Sequence, residues 1–264
     1  MFIDNEFPPN NRSLGPSLEP RHLEWKRAID INELKRSGQL TLFEERISPS
    51  DIRQGALANC WLMTAITSLA TFEEVIRNLF VTKTVNPEGK YVLRLYQPDP
   101  VARRSSVRKT KDVKGVVQEP SASNGKWIHI VVDDFLPIKN GELEFARSSR
   151  GTLWVCLLEK AFAKYVGGYG KLYGGFPGLA MTAMTGTYAH RFMFGRGPSA
   201  PTAFELDFGH LSVRDVANNN GQLRVRKTGV THSRDSLWDY FIEADSGDLL
   251  MQMVKQGVDR TAAS

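Results

Sequence analysis

Only two cysteines, Cys60 and Cys156, occur in the 264 residues. Two thiols do not make a disulfide framework, so the expected compartment is the reducing cytosol and the expected localisation is cytoplasmic. No apolar run reaches the roughly 20 residues that a bilayer-spanning helix needs. No secretory signal pattern opens the chain, the start Met1-Phe2 excludes a myristoylation signal, and no prenylation motif closes it. Metal cues are equally scarce. No His or Cys pair has zinc-ligand spacing, and no EF-hand loop of the form Asp-x-Asp-x-Asp-Gly…Glu occurs.

Charge is unevenly spread. The formal net charge is +5. Between Asp99 and Lys126, seven basic residues (Arg103, Arg104, Arg108, Lys109, Lys111, Lys114 and Lys126) face three acidic ones (Asp99, Asp112 and Glu119), so this segment holds +4 of that total. The stretch 99–126 is long and polar and reads as a flexible basic insertion. Residues 103–114 offer a surface for an acidic partner. No nucleic acid is expected, because no aromatic interleaving or recognisable nucleic-acid fold accompanies the basic residues. With 41% apolar residues the rest of the chain can bury the core of one large or two ordinary domains.

The most informative stretch is Asp51-Ile-Arg-Gln-Gly-Ala-Leu-Ala-Asn-Cys-Trp-Leu-Met-Thr-Ala-Ile-Thr-Ser-Leu69. Trp61, Leu62, Ala65, Ile66 and Leu69 fall at helical spacing with one stripe toward a core. Asn59 is placed to cap that helix, and Cys60 opens it. A thiol at a helix start lies among free N–H groups at the positive end of the dipole, a setting that suits a nucleophilic sulfur. Gln54 stands six residues upstream, where its amide can donate to an oxyanion beside the Cys60 N–H. Cys156 reads as a small packing residue.

Other elements follow from the same periodicities. Phe72, Val75, Ile76 and Leu79 suggest that the nucleophile helix continues over 71–79. Tyr91–Tyr96 and Trp127–Val132 alternate as strands. Lys139-Asn140-Gly141-Glu142 is a type I′ hairpin signal. Trp154, Leu157, Leu158, Ala161, Phe162 and Tyr165 predict a helix that stops at Gly167-Gly168, with Glu159, Lys160 and Lys164 on its other faces. Prolines forbid a regular helix in the leader 1–14. Later, a hairpin is expected around Asn219-Asn220-Gly221, and a helix and strand within 236–251.

The segment around Cys60 resembles the calpain nucleophile motif Gln-Gly-x-x-Gly-Asp-Cys-Trp. Gln54, Gly55, Cys60 and Trp61 match, while Ala58 and Asn59 replace Gly and Asp. The likeness extends over Phe2, Asp4, Phe7, Pro8, Pro9, Ser13 and Leu14 with Trp25-Lys26-Arg27. It continues through Trp127–Gly141, Trp154–Lys164, Tyr169, Gly174-Gly175 and Thr185-Gly186. It implies an α+β fold, a papain-like calpain catalytic core. Residues 1–186 would form a complete first lobe, a central helix beside a small antiparallel sheet. Residues 187–264 would begin a second, incomplete lobe with an insertion at 188–231.

The implied function is intracellular calpain-type cysteine endopeptidase action on protein or peptide substrates, with Cys60 as nucleophile and Gln54 in the oxyanion hole. Calpains draw a His base and its orienting Asn from Gly-His-Ala-Tyr-like and Asn-Pro-Trp-Gly motifs. Neither occurs here, and the chain reads as truncated before them. His22, His129, His190, His210 and His232 read as structural or solvent-exposed. The alternative is an inactive calpain-like module that holds peptides. Calcium is implied by the resemblance at Asp51 and at a second acidic residue just before the helix Trp. Thr152 and Leu153 occupy those latter positions, so weak calcium binding is expected.

Overall fold

The computed structural model describes residues 1–35, 38–99, 125–187, 191–194, 203–207, 212–218 and 226–232. The basic stretch 103–114, the turn expected at 219–221 and the elements expected within 236–251 lie outside these residues. By internal contacts the chain divides into Met1–Ala189 with Phe208–Arg224, and His190–Asp207 with Val225–Ser264.

In the larger unit the leader runs extended except for one helical turn, α1 (Asn11–Leu14), just beyond the two prolines. The side chain of Asn10 accepts from Arg12 N and caps that turn. Strand β1 (Glu24–Arg27) follows, then β2 (Ile52–Arg53), α2 (Cys60–Leu69) and α3 (Glu73–Leu79). The expected continuation of α2 through 71–79 does not occur. Ser68 Oγ donates to Thr64 O and Thr71 Oγ1 to Ser68 O. These side-chain bonds compete with the helix ladder, and the chain breaks at 70–72. Phe72 is consequently exposed, whereas Ile76 and Leu79 are buried as expected.

Both long strands form as expected and slightly longer: β3 (Lys90–Pro98) and β4 (Gly125–Asp133), antiparallel, with Tyr91 opposite Val132 and Leu93 opposite Ile130. Strand β5 (Phe135–Lys139) turns into β6 (Glu142–Leu143) through Asn140 and Gly141 at φ 53° and 85°, the two positive values that a type I′ turn requires. Strands β1, β5 and β6 make a three-stranded sheet in the order β1-β5-β6, and β7 (Arg147–Ser148) pairs with β2.

Helix α4 (Trp154–Val166) is the centre of the unit. Gly167 ends it at φ 94°, and the N–H groups of Gly167 and Gly168 both donate to Ala163 O. Every residue of α4 except Lys164 is buried, including Glu159 and Lys160. The reading that set those two on faces away from the core is therefore corrected. They remain inside because neighbouring elements supply partners. Lys160 Nζ reaches Asp133 Oδ1 at 2.5 Å and Phe135 O at 2.6 Å. Burial pulls the Lys160 amine below its ordinary range, against the opposing pull of Asp133. Arg27 pairs with Asp134, and Lys164 with Asp4, so β1 and the leader are fastened to the same cluster.

Helix α5 (Pro177–Thr185) packs on α2, and α6 (Val213–Asn218) on α4, where Arg214 Nε donates to Tyr165 O at 2.7 Å. The smaller unit contains an antiparallel sheet of β8 (Arg191–Phe194), β9 (Ala203–Asp207) and β10 (Arg226–His232), in the order β10-β9-β8. Helices beside small antiparallel sheets make the chain α+β, as expected. Among the described residues no helix is long and apolar enough to cross a membrane.

Candidate active site

Helix α2 starts at Cys60, and its buried stripe contains Trp61, Leu62, Ala65, Ile66 and Leu69 together with Met63. The stripe turns the first residue outward: the Cys60 thiol is exposed and Cys156 is buried. Among the described residues the Cys60 N–H finds no acceptor, which leaves a free donor beside the sulfur. Burial pushes the Cys156 thiol far up, so that sulfur stays protonated. Limiting iodoacetamide on the folded protein should therefore label Cys60 well ahead of Cys156 in mass-spectrometric mapping. Preferential labelling of Cys156 would contradict the geometry.

Asn59 stands at the helix start, but its side chain does not cap the helix. It is fully buried and turned inward, donating from Nδ2 to Glu159 Oε1 at 2.7 Å. The expected capping bond is thus replaced by a contact between α2 and α4. Glu159 was not legible as a site residue. Its only signal was a carboxylate inside the apolar run Leu157, Leu158, Ala161 and Phe162. Burial pushes its carboxyl up to about 7, against the lowering effect of hydrogen bonds from Asn59 and from Ala146 N.

Gln54 precedes the loop before Asn59. Its Nε2 donates to Leu57 O at 2.8 Å, which pins the side chain against the loop that leads to Cys60. A primary amide has a second N–H, so one donor remains for a substrate oxygen. Gly55 explains the Gln-Gly pair: a Cβ there would fall on the backbone of Glu144 and Phe145. The segment 172–175 packs against the start of α2 and the residue before Asn59. Trp61 Nε1 donates to Leu172 O at 2.9 Å, Gly174 N donates to Ala58 O at 3.2 Å, and Gly175 lies against the Trp61 ring.

Asp51, the residue that the resemblance assigned to calcium, is buried. Its Oδ1 accepts from Arg150 Nε at 3.0 Å, while Oδ2 is buried without a partner. Thr152 Oγ1 is turned away to Glu44 Oε1 at 2.6 Å. Calcium takes six to eight oxygen ligands. Among the described residues no group of three or more His, Cys, Asp or Glu gathers that could hold a metal. The Arg150 guanidinium thus lies on the carboxylate that the resemblance assigned to calcium.

No side chain among the described residues hydrogen-bonds the Cys60 thiol. His129 is exposed on β4, and His22 ends a turn before β1. His190, His210 and the side chain of His232 lie outside the described residues.

The comparison with known proteins decides the relationship, since the family model described as "Calpain family cysteine protease" matches residues 2–257. The chain belongs to the calpain family. It is 35% identical over 197 residues to calpain-type cysteine protease ADL1 of Oryza sativa subsp. japonica, covering 70% of this chain and 8% of that protein. It is 34% identical over 193 residues to Calpain-5 of Caenorhabditis elegans, covering 71% of this chain and 26% of that protein. It is 32% identical over 206 residues to the Calpain-1 catalytic subunit of Rattus norvegicus, covering 75% and 25%. The chain thus matches about a quarter or less of the length of these relatives. The family is one of cysteine proteases by the description of its model.

Proposed function

We propose that this calpain-family chain carries the nucleophile of a calpain-type cysteine endopeptidase that performs limited proteolysis, with Cys60 as that nucleophile. One observation carries the reading: an exposed thiol at the first position of α2, beside its own uncommitted N–H, with the Gln54 amide held on the loop that leads to it. In the proposed reaction Cys60 Sγ attacks the peptide carbonyl carbon and the carbonyl oxygen becomes an oxyanion. The Cys60 N–H and the spare Gln54 N–H are the donors for that charge. Collapse breaks the C–N bond, the amine leaves with a proton, and water then releases the acid from the thioester.

Two protons must move, one off the thiol and one onto the amine. The Gly-His-Ala-Tyr-like and Asn-Pro-Trp-Gly motifs that serve this purpose in calpains do not occur in the 264 residues. General acid–base help is typically worth about 10²–10⁴-fold in rate. This chain by itself should therefore turn over a fluorogenic peptide no faster than its Cys60→Ser variant. Turnover that disappears in Cys60→Ser would show that a base is supplied from within, and His190, His210 and His232 would be tested next. Turnover gained by adding a segment with both motifs would support the protease reading directly. Peptide binding without turnover in either form would favour the inactive binding module.

Calcium is proposed to bind weakly or not at all, with Arg150 on Asp51 as the supporting contact. Calorimetric titration with calcium should give no micromolar isotherm. A micromolar isotherm abolished by Asp51→Asn would overturn this.

A further inference from the structure

We propose that Glu159 is a positioning residue for Cys60, acting through Asn59, so that the reactivity of the exposed thiol follows the protonation of a carboxyl buried behind it. The inference rests on the reading of Cys60 as the nucleophile and adds a control to that site.

The geometry is a short chain of contacts. Glu159 Oε2 accepts from Ala146 N at 3.0 Å, and Oε1 accepts from Asn59 Nδ2 at 2.7 Å. The Asn59 carbonyl accepts from Leu62 N at 2.8 Å and Met63 N at 3.1 Å, which sets the first turn of α2. Cys60 is the next residue. A change in how Glu159 holds Asn59 therefore acts one peptide bond from the sulfur.

One atom marks the arrangement as two-state. Asn59 Oδ1 is buried and has no partner. With Glu159 ionised, both carboxylate oxygens accept and Nδ2 is the right donor. A proton on Oε1 would set two donors against each other. A half-turn of the Asn59 amide removes the clash, because Oδ1 then accepts from the carboxyl O–H. The pair is hydrogen-bonded in either state, but the charge behind α2 differs by one.

The facing groups leave Glu159 as the one that changes near neutrality. Cys156 on the same helix and Tyr169 opposite are both pushed up by burial and remain neutral. Glu33 is paired with Arg147 at 3.0 Å, and Glu144 with Arg21 at 2.7 Å. Among the described residues no cation pairs with Glu159. Burial is the main cause that brings its titration to about 7. An Asp at position 59 would instead place two carboxyls in contact, and such a pair retains one proton to higher pH.

The test reads the rate of iodoacetamide labelling at Cys60 by mass spectrometry between about pH 5.5 and 8.5, a span centred on the Glu159 carboxyl at about 7. The wild-type rate should show a break near 7 in addition to the thiol's own ionisation. Glu159→Gln should lack the break, since an amide with its oxygen on Ala146 N can donate to a turned Asn59 Oδ1 and never changes charge. Its rate should differ from wild type by about two- to fivefold above the break, the effect of one charge near a helix N-terminus. Asn59→Asp should move the break upward. A break that persists in Glu159→Gln, or that is absent from wild type, would overturn the proposal. Should the variants fail to fold, ¹³C NMR of the wild-type protein reads the same linkage. A Glu159 carboxyl that titrates without moving the Cys60 amide resonance would also overturn it. Peptide turnover is not read here, so failure of the protease reading and failure of this linkage are separate results.

Discussion

Lys160→Met should lower the unfolding free energy by roughly 3–5 kcal/mol, the usual cost of stranding one member of a buried ion pair. Lys160 and Asp133 are both fully inaccessible, and the ammonium also serves Phe135 O and lies over the Trp25 ring. Without it, the Asp133 carboxylate would remain inside with only N–H donors from Asp4 and Phe135. The same carboxylate tethers the leader through Asp4 N at 2.8 Å, so residues 1–7 should become more susceptible to protease. Urea unfolding measures the first effect. The double variant Lys160→Met with Asp133→Asn should recover much of the loss, because it removes the uncompensated charge. A loss under about 1 kcal/mol in the single variant would mean that the pair is not buried as described.

Gly55→Ala should cost about 3 kcal/mol, at the upper end for overpacking, and lower Tm by roughly 5–10 °C. A Cβ at position 55 would lie closer than 3.0 Å to the backbone of Glu144 and Phe145, a separation that real Cβ atoms essentially never show. Backbone cannot rotate away as a side chain can. Relief requires separation of the 54–57 loop from 144–146, with loss of the 2.9 Å bond from Ala56 N to Glu144 O. That movement carries Gln54 with it, so any oxyanion stabilisation at Cys60 should fall together with stability. Thermal unfolding checks the stability. An unchanged Tm would show that the two segments do not touch.

These two variants probe opposite kinds of legibility. Gly55 was readable as part of a motif, but the reason for a glycine was not, because the atoms it avoids are 89 and 90 residues away in the chain. Lys160 was visible only as a charge on a helix and was assigned to the wrong environment. Helical spacing marks which residues share a face. It does not say how many faces are covered.

The sequence by itself determined the family, the strands β3 and β4, the type I′ turn, the span and stop of α4, and the start of α2 at Cys60. These rest on short-range rules: side-chain period, the conformational freedom of Asn-Gly and Gly-Gly, and local motif spacing. Tertiary structure alone decided where the polar side chains of that frame go. Asn59 turned from capping to Glu159. Asp51 took Arg150 as its cation. The physical reason is common to both. A polar group removed from water must find a partner wherever the fold brings one within about 3 Å, and that partner can lie anywhere along the chain.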